Sequence, residues 1–195
     1  MKRILIKIMS ILGSILIILS IGLIGRNYYI EYKAGKSLDK ALAKLNAKID
    51  EGDYVLDGDN KTAVINIDNK VYMGIITAPS LGISLPIIKE YKYEYMNSSP
   101  CRYAGSYTTN DLIIAGHNYR KHLYHFKNMK YGEQIVFSTC NGINYYYIVT
   151  KIEVLNPNQI EKLIEKKDNN WDLSIFTCSN TGRARYVIRC KRIDI

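Results

Sequence analysis

The run from Ile8 to Gly25 holds 18 residues without a charged side chain. It lengthens to about 22 if Ile4 to Ile6 join it and the Lys7 ammonium reaches back toward lipid headgroups. In hydrocarbon, a stretch of this kind can satisfy its backbone polar groups only as a helix, so the first part of the chain has one available fold. Lys2, Arg3 and Lys7 precede the run, and residues 1 to 26 contain no acid. Positive charge on that side places the N-terminus in the cytoplasm and the remainder outside the cell. A cleaved signal peptide is the competing reading, since Ser20 and Gly22 have the small-residue spacing of a cleavage site. The length of the run and the lack of an A-x-A pattern favour an uncleaved single-pass anchor, residues 1–26.

Residues 27–52 then read as a helical stalk. Tyr28 and Tyr29 fall at interface depth, Ser37 can cap a helix, and Leu38, Ala41, Leu42, Leu45 and Ile49 recur at intervals of three and four. Such a face can gate a site or pair with a second copy, but packing on its own domain is the default.

Charge excludes one large class of function. The chain carries a formal +9, of which residues 1–26 supply four, leaving +5 on the remainder. Those basic residues are scattered among acids, without a finger, helix-turn-helix or aromatic-basic signature, so nucleic acid is not an expected partner. With 47% apolar and 23% charged residues the composition is that of a folded protein.

From about Asp53 to Ile195 the chain is a succession of short strands. AVINIDNKVYMGII alternates about Asp68 and Asn69, and ITAPSLGISLPII is punctuated by Pro79, Gly82 and Pro86. LIIA, Leu112 to Ala115, is a short wholly apolar run of the kind found in central strands. Asn141-Gly142 is the strongest hairpin signal, between Ile135–Thr139 and Ile143–Val154, while Asn158 to Lys166 has room for a short helix only. Seven or eight strands in residues 53–195 predict an all-β domain, mainly strands with short helices, closed into a β-barrel.

The last two strands, Leu173–Thr177 and Tyr186–Arg189, are joined by a polar loop bent at Gly182. Cys178 ends the first and Arg185 begins the second, so a hairpin return brings thiol and guanidinium to one sheet end. A neighbouring cation favours the reactive thiolate, and a planar fork of donors can hold a carbonyl or an oxyanion. The base must come from His117, His122 or His125, the only histidines. His117 follows the rigid LIIA strand directly, whereas His122 and His125 lie on later helical turns where surface positions are open to them. The other cysteines leave two readings: Cys190 as a buried thiol, and Cys101 and Cys140 as either thiols or partners in a disulfide. No histidine or cysteine spacing matches a metal motif, and no glycine-rich phosphate loop occurs, so neither metal nor cofactor is expected.

Together LIIAGHNY, residues 112–119, and LSIFTCSNTGRARYVIR, residues 173–189, resemble the two signature segments of the sortases, membrane-anchored cysteine transpeptidases of Gram-positive bacteria. ITAPSLGISLPII and YGEQIVFSTCNGINYYYIV are similar to other family strands, and the likeness covers roughly residues 74–192. It implies Cys178 as nucleophile, His117 as acid/base and Arg185 as the oxyanion or substrate ligand, with Arg183 as rival for that role. Thr177, Asn118 and Arg183 would contact substrate.

The implied substrates are exported surface proteins with a C-terminal LPXTG-like sorting signal. The implied acceptor is an amine of a peptidoglycan precursor or a pilin lysine. The stretch between Val154 and Leu173 is too short for a long class B helix, and no Asp-Pro-aromatic sequence of class C is present, which leans toward a class D-like enzyme. A membrane-tethered binding barrel with structural cysteines, or an inactive homologue, is the alternative.

Overall fold

The computed structural model describes residues 2–58, 62–159, 161–166, 170–179 and 182–193. Two compact units make up the chain, residues 1–33 and residues 34–195. One helix, α1, runs from Lys2 to Glu51. In the first unit its apolar window has no buried residue and is long and apolar enough to cross a membrane. Ser37 does not cap it. The helix arrives from the apolar window without interruption because nothing between Arg26 and Ser37 removes a backbone donor, so Ser37 lies mid-helix. The true stop is Gly52 at φ 68°, with Gly52 N–H donating to Ile49 O and Asp53 N–H to Lys48 O. That pair of bonds is a Schellman closure, and its left-handed position favours glycine.

The strands follow in order: β1 (Val55–Asp57), β2 (Thr62–Ile67), β3 (Lys70–Ala78), β4 (Ile83–Ile88), β5 (Cys101–Ala104), β6 (Leu112–Gly116), β7 (Gln134–Thr139) and β8 (Asn144–Leu155). A single-turn helix, α2 (Glu161–Ile164), precedes β9 (Leu173–Cys178) and β10 (Arg185–Ile193). Ile160, inside the expected short helix, and residues 180–181 of the last loop lie outside the described residues. Pairing in the order β3-β4-β5-β6-β9-β10-β8-β7, with β7 returning to β3, closes an eight-stranded barrel. This is the expected all-β barrel, with β2 and β1 added along the first part of β3.

Closure depends on a change of partner along β3. Its first residues pair with β2, and from Gly74 on it pairs with β7. The register with β4 shifts at the same point. An added Cβ at Gly74 would land on the Ser138 carbonyl oxygen, so only glycine lets the two strands approach there. The β2–β3 turn uses Asp68 and Asn69, both at positive φ, as a type I′ hairpin requires.

The sequence expects domain borders after residues 26 and 52. In the structure α1 runs on past residue 26, and the compact unit that contains the barrel begins at Ala34. Ala34, Leu38, Ala41 and Leu45 are buried. Leu38 joins the cluster of Met73, Leu85, Ile114 and Phe137, and Leu45 joins that of Ile65, Tyr72, Ile88 and Cys101. Ion pairs Lys44–Asp68 (2.8 Å) and Lys121–Asp39 (3.3 Å) lie at the margin of this contact. Exposed pairs contribute about 0–1 kcal/mol each, against about 2 kcal/mol for each buried leucine, so packing decides the attachment. Leu45→Ala is therefore expected to lose about 2–5 kcal/mol in denaturant unfolding. A fragment beginning at Asp53 is expected to unfold at a lower denaturant midpoint than one beginning at Ala34; equal midpoints would show the helix to be dispensable.

Candidate active site

The site grows out of a parallel pair at the heart of the barrel. All five residues of β6 are buried, and β6 lies beside β9 with Gly116 opposite Thr177. Thr177 Oγ1 donates to Gly116 O at 2.8 Å and ties the two strands together at their ends. The next residue on each is His117 and Cys178. On the other side of β9, Cys178 stands opposite Arg185 in antiparallel register. Imidazole, thiol and guanidinium therefore leave three neighbouring strands at one end of the sheet, the middle strand carrying the thiol. Gly116 is required by what lies beneath: an added Cβ would sit 2.8 Å from the Leu123 side chain and 3.2 Å from that of Pro100. Leu123 N–H in turn donates to His117 O at 3.3 Å.

The loop between β9 and β10 is held by short-range bonds. Ser179 N–H donates to Ala184 O at 2.9 Å, Ala184 N–H to Ser179 Oγ at 3.1 Å, and Gly182, at φ 70°, donates to Ser179 O at 2.9 Å. Arg185 is half-buried and its Nη1 donates to the carbonyls of Gly182 and Ala184, at 3.3 Å each. Arg183 is exposed on the same loop and Asn118 is half-buried beside His117. The Thr177 hydroxyl is buried and engaged by Gly116, which makes it a clamp between strands.

His117 is half-buried, and its Nε2 is enclosed with no hydrogen-bond partner among the described residues. Burial disfavours the imidazolium and holds the histidine below its usual value of 6.5. Two tyrosine rings flank it, Tyr119 at 4.7 Å and Tyr93 at 5.3 Å, the latter nearly perpendicular at 86°. Tyr91 lies within electrostatic reach of both Cys178 and Arg185, its phenol pushed up chiefly by burial. It stands edge-on to Tyr103, which stands edge-on to Phe176 two residues before the thiol.

Sequence reasoning did not find Tyr91 and Tyr93. The available signal was the alternation of tyrosines in EYKYEY, a polar segment directly after the apolar end of β4.

The surface positions open to His122 in sequence are not where the fold puts it. The ring is wholly buried, beside Tyr119 and below α1. Gly35 comes so near that an added Cβ would meet the Lys121 side chain at 2.8 Å. Burial, with a smaller contribution from His117, pushes His122 down to about 4, and the main chain of Ala34 opposes the shift. The residue that meets this ring comes from α1, more than 80 positions earlier in the chain. His125 is half-buried against Tyr124.

All four cysteines are free: Cys101, Cys140 and Cys190 buried, Cys178 partly exposed. Among the described residues no three His, Cys, Asp or Glu side chains converge as a ligand set.

The register of β6, β9 and β10 thus sets Cys178 between His117 and Arg185 at one end of a closed barrel. The Sortase domain model matches residues 76–193, and the chain belongs to the sortase family. By that membership its general role is that of a sortase transpeptidase. It is 25% identical to Sortase A of Bacillus anthracis over 202 residues, covering 93% of each chain. Among solved structures its fold is similar to sortase C1 of Streptococcus agalactiae, with TM-score 0.56, 23% identity and coverage of 67% of this chain and 72% of that one. It is also similar to sortase C of Clostridium perfringens, with TM-score 0.54, 20% identity and coverage of 84% and 91%. Sortase A of Corynebacterium diphtheriae gives TM-score 0.56 at 20% identity, over 65% of this chain and 62% of that one.

The buried His122 gives stability a pH dependence. In the unfolded chain it titrates at its ordinary 6.5 and in the fold at about 4. Between these values the unfolded state binds a proton that the native state does not, so this contribution is fully present above 6.5 and is lost as pH falls toward 4. The shift corresponds to about 3 kcal/mol. Urea unfolding near neutrality and in mild acid is expected to show this loss, and His122→Phe to remove it. Asp68, held low chiefly by its hydrogen bond from Lys44, titrates alike in both proteins. Equal acid loss in wild type and variant would contradict the assignment.

Proposed function

We propose that this chain is a membrane-anchored cysteine transpeptidase that cleaves an LPXTG-like sorting motif and transfers the protein carrying it to an amine. The observation that supports this most directly is the register of three strands, with Cys178 between His117 and Arg185. Lys2, Arg3 and Lys7 before the apolar window favour a cytoplasmic N-terminus and a catalytic domain facing the cell wall. The substrates are exported proteins with a C-terminal sorting signal, and the acceptor is a peptidoglycan-precursor or pilin amine.

The Cys178 thiolate attacks the carbonyl carbon of the scissile bond, and the carbonyl electrons move to oxygen. Arg185 offers donors to that oxyanion, or to a substrate carbonyl next to it. Collapse of the tetrahedral intermediate breaks the C–N bond. The departing amine takes its proton from the His117 imidazolium, leaving a thioester on Cys178. The acceptor amine then attacks the thioester, gives its proton to neutral His117, and the thiolate leaves. Thr177 serves by fixing the strand end, while Asn118 and Arg183 line the approach to it.

Requiring thiolate and imidazolium together gives kcat/KM a bell-shaped dependence on pH whose limbs belong to the pair. Its acid limb is expected below the ordinary histidine value, because burial lowers His117. A monotonic profile would remove this pair from the mechanism. Arg185→Lys keeps the charge but loses the fork, and is expected to lower kcat/KM about 100-fold.

Mass spectrometry of the full chain with a motif peptide tests the whole reading. A thioacyl adduct on Cys178, absent in Cys178→Ala and converted by an added amine to a ligated product, is expected. Lack of any adduct across a library of motifs would overturn it.

A further inference from the structure

We propose that Tyr93 selects amine over water as the acyl acceptor by closing over His117 once the leaving peptide has departed, until an acceptor with its own binding energy displaces it. The inference rests on the acyl-transfer reading above. Three observations carry it.

The first is the enclosed nitrogen. His117 Nε2 has no polar partner among the described residues and no contact with solvent, although His117 stands next to a partly exposed thiol. A base shielded in this way cannot deprotonate water.

The second is the identity of the cover. Tyr93 is 68% exposed, yet its ring stands edge-on to the imidazole at 5.3 Å. A tyrosine stranded on a surface needs no explanation, but this one stands edge-on to the titratable ring that follows β6, the strand beside the one that carries the nucleophile.

The third is the way its segment is attached. Tyr91 is fixed through Tyr103 to Phe176 on β9. Tyr95 is flanked by the Lys92 and Lys70 ammonium groups at 5.0 and 5.9 Å, and its carbonyl accepts from Ser98 Oγ at 2.8 Å. Between these anchors Tyr93 occupies a turn, and among the described residues its ring makes one aromatic contact, the edge-to-face one with His117, worth about 0.5–1.5 kcal/mol.

In the thioester state the two competing reactions are balanced alike. Water or an amine adds to the carbonyl carbon, loses one proton to His117, and expels the Cys178 thiolate. They differ in what can move Tyr93. An acceptor attached to a peptide has further surface with which to bind the EYKYEY segment and hold the ring aside, and water has none. Opening also rehydrates the imidazole, which restores its basicity when the acceptor arrives.

The test compares the full-length wild type, Tyr93→Ala and Tyr93→Phe in detergent micelles, using a motif peptide and a peptide-borne amine such as triglycine. Mass spectrometry reads the ratio of hydrolysed to ligated product within the acylated population, so that changes in acylation rate do not enter. Tyr93→Ala is expected to raise that ratio up to about tenfold, the ceiling for one aromatic contact, while Tyr93→Phe keeps the wild-type ratio because the ring is the cover. In NMR titration the His117 value is expected to rise toward 6.5 in Tyr93→Ala and not in Tyr93→Phe. A thioacyl enzyme that forms normally but partitions identically in all three proteins overturns this inference alone. Absence of thioacyl enzyme in the wild type overturns the proposed function, and the inference with it.

Discussion

The pairing of β6 with β9 is the constraint on which the rest of the site depends. Two parallel strands from distant parts of the chain end side by side, and the Thr177 hydroxyl holds the last carbonyl of one to the last turn of the other. Parallel neighbours cannot be joined by a tight turn, so the chain must travel round most of the barrel, through β7 and β8, before β9 returns beside β6. The long excursion separates His117 from Cys178 in sequence, and the register restores them. Because every residue of β6 is buried, a one-residue slip would exchange the side chains packed on its two faces and break the fit of each. Rigidity at this pair is therefore a product of the core.

Local chemistry explains what was legible in the sequence and what was not. The Asp68-Asn69 hairpin, the buried LIIA strand and the Cys178–Arg185 return announce themselves through residues within a few positions of one another, and the closed barrel follows from their number. Ser37 misled because its capping chemistry is real; it was overridden by an incoming helix with no reason to stop. His122 misled for the opposite reason. What buries it is α1, whose Asp39 pairs with Lys121 across 82 positions, and no periodicity near His122 reports that contact. Tyr93 was invisible as a site residue because its meaning lies in the ring it covers.

The helix that begins as an apolar window long enough to cross a membrane ends as part of the barrel core. Its first part is apolar on all sides, as a chain in lipid requires, while its last turns carry an apolar stripe of Ala34, Leu38, Ala41 and Leu45 opposite lysines. The change of pattern along a continuous helix marks where the packed stripe begins. Because the stripe lies against the segment that follows His117, this helix contributes directly to the folded unit.

The four thiols divide sharply in their chemistry. Burial pushes Cys101 and Cys140 up to about 12 and Cys190 further, so that none presents a thiolate under ordinary conditions. Cys178 alone is within reach of solvent. Among the cysteines, oxidants and electrophiles thus find one accessible thiol, the one that the proposed reaction uses. Damage to this chain would be lost turnover with the barrel still standing: an all-or-none inactivation at one residue, with no scrambling into mispaired bridges.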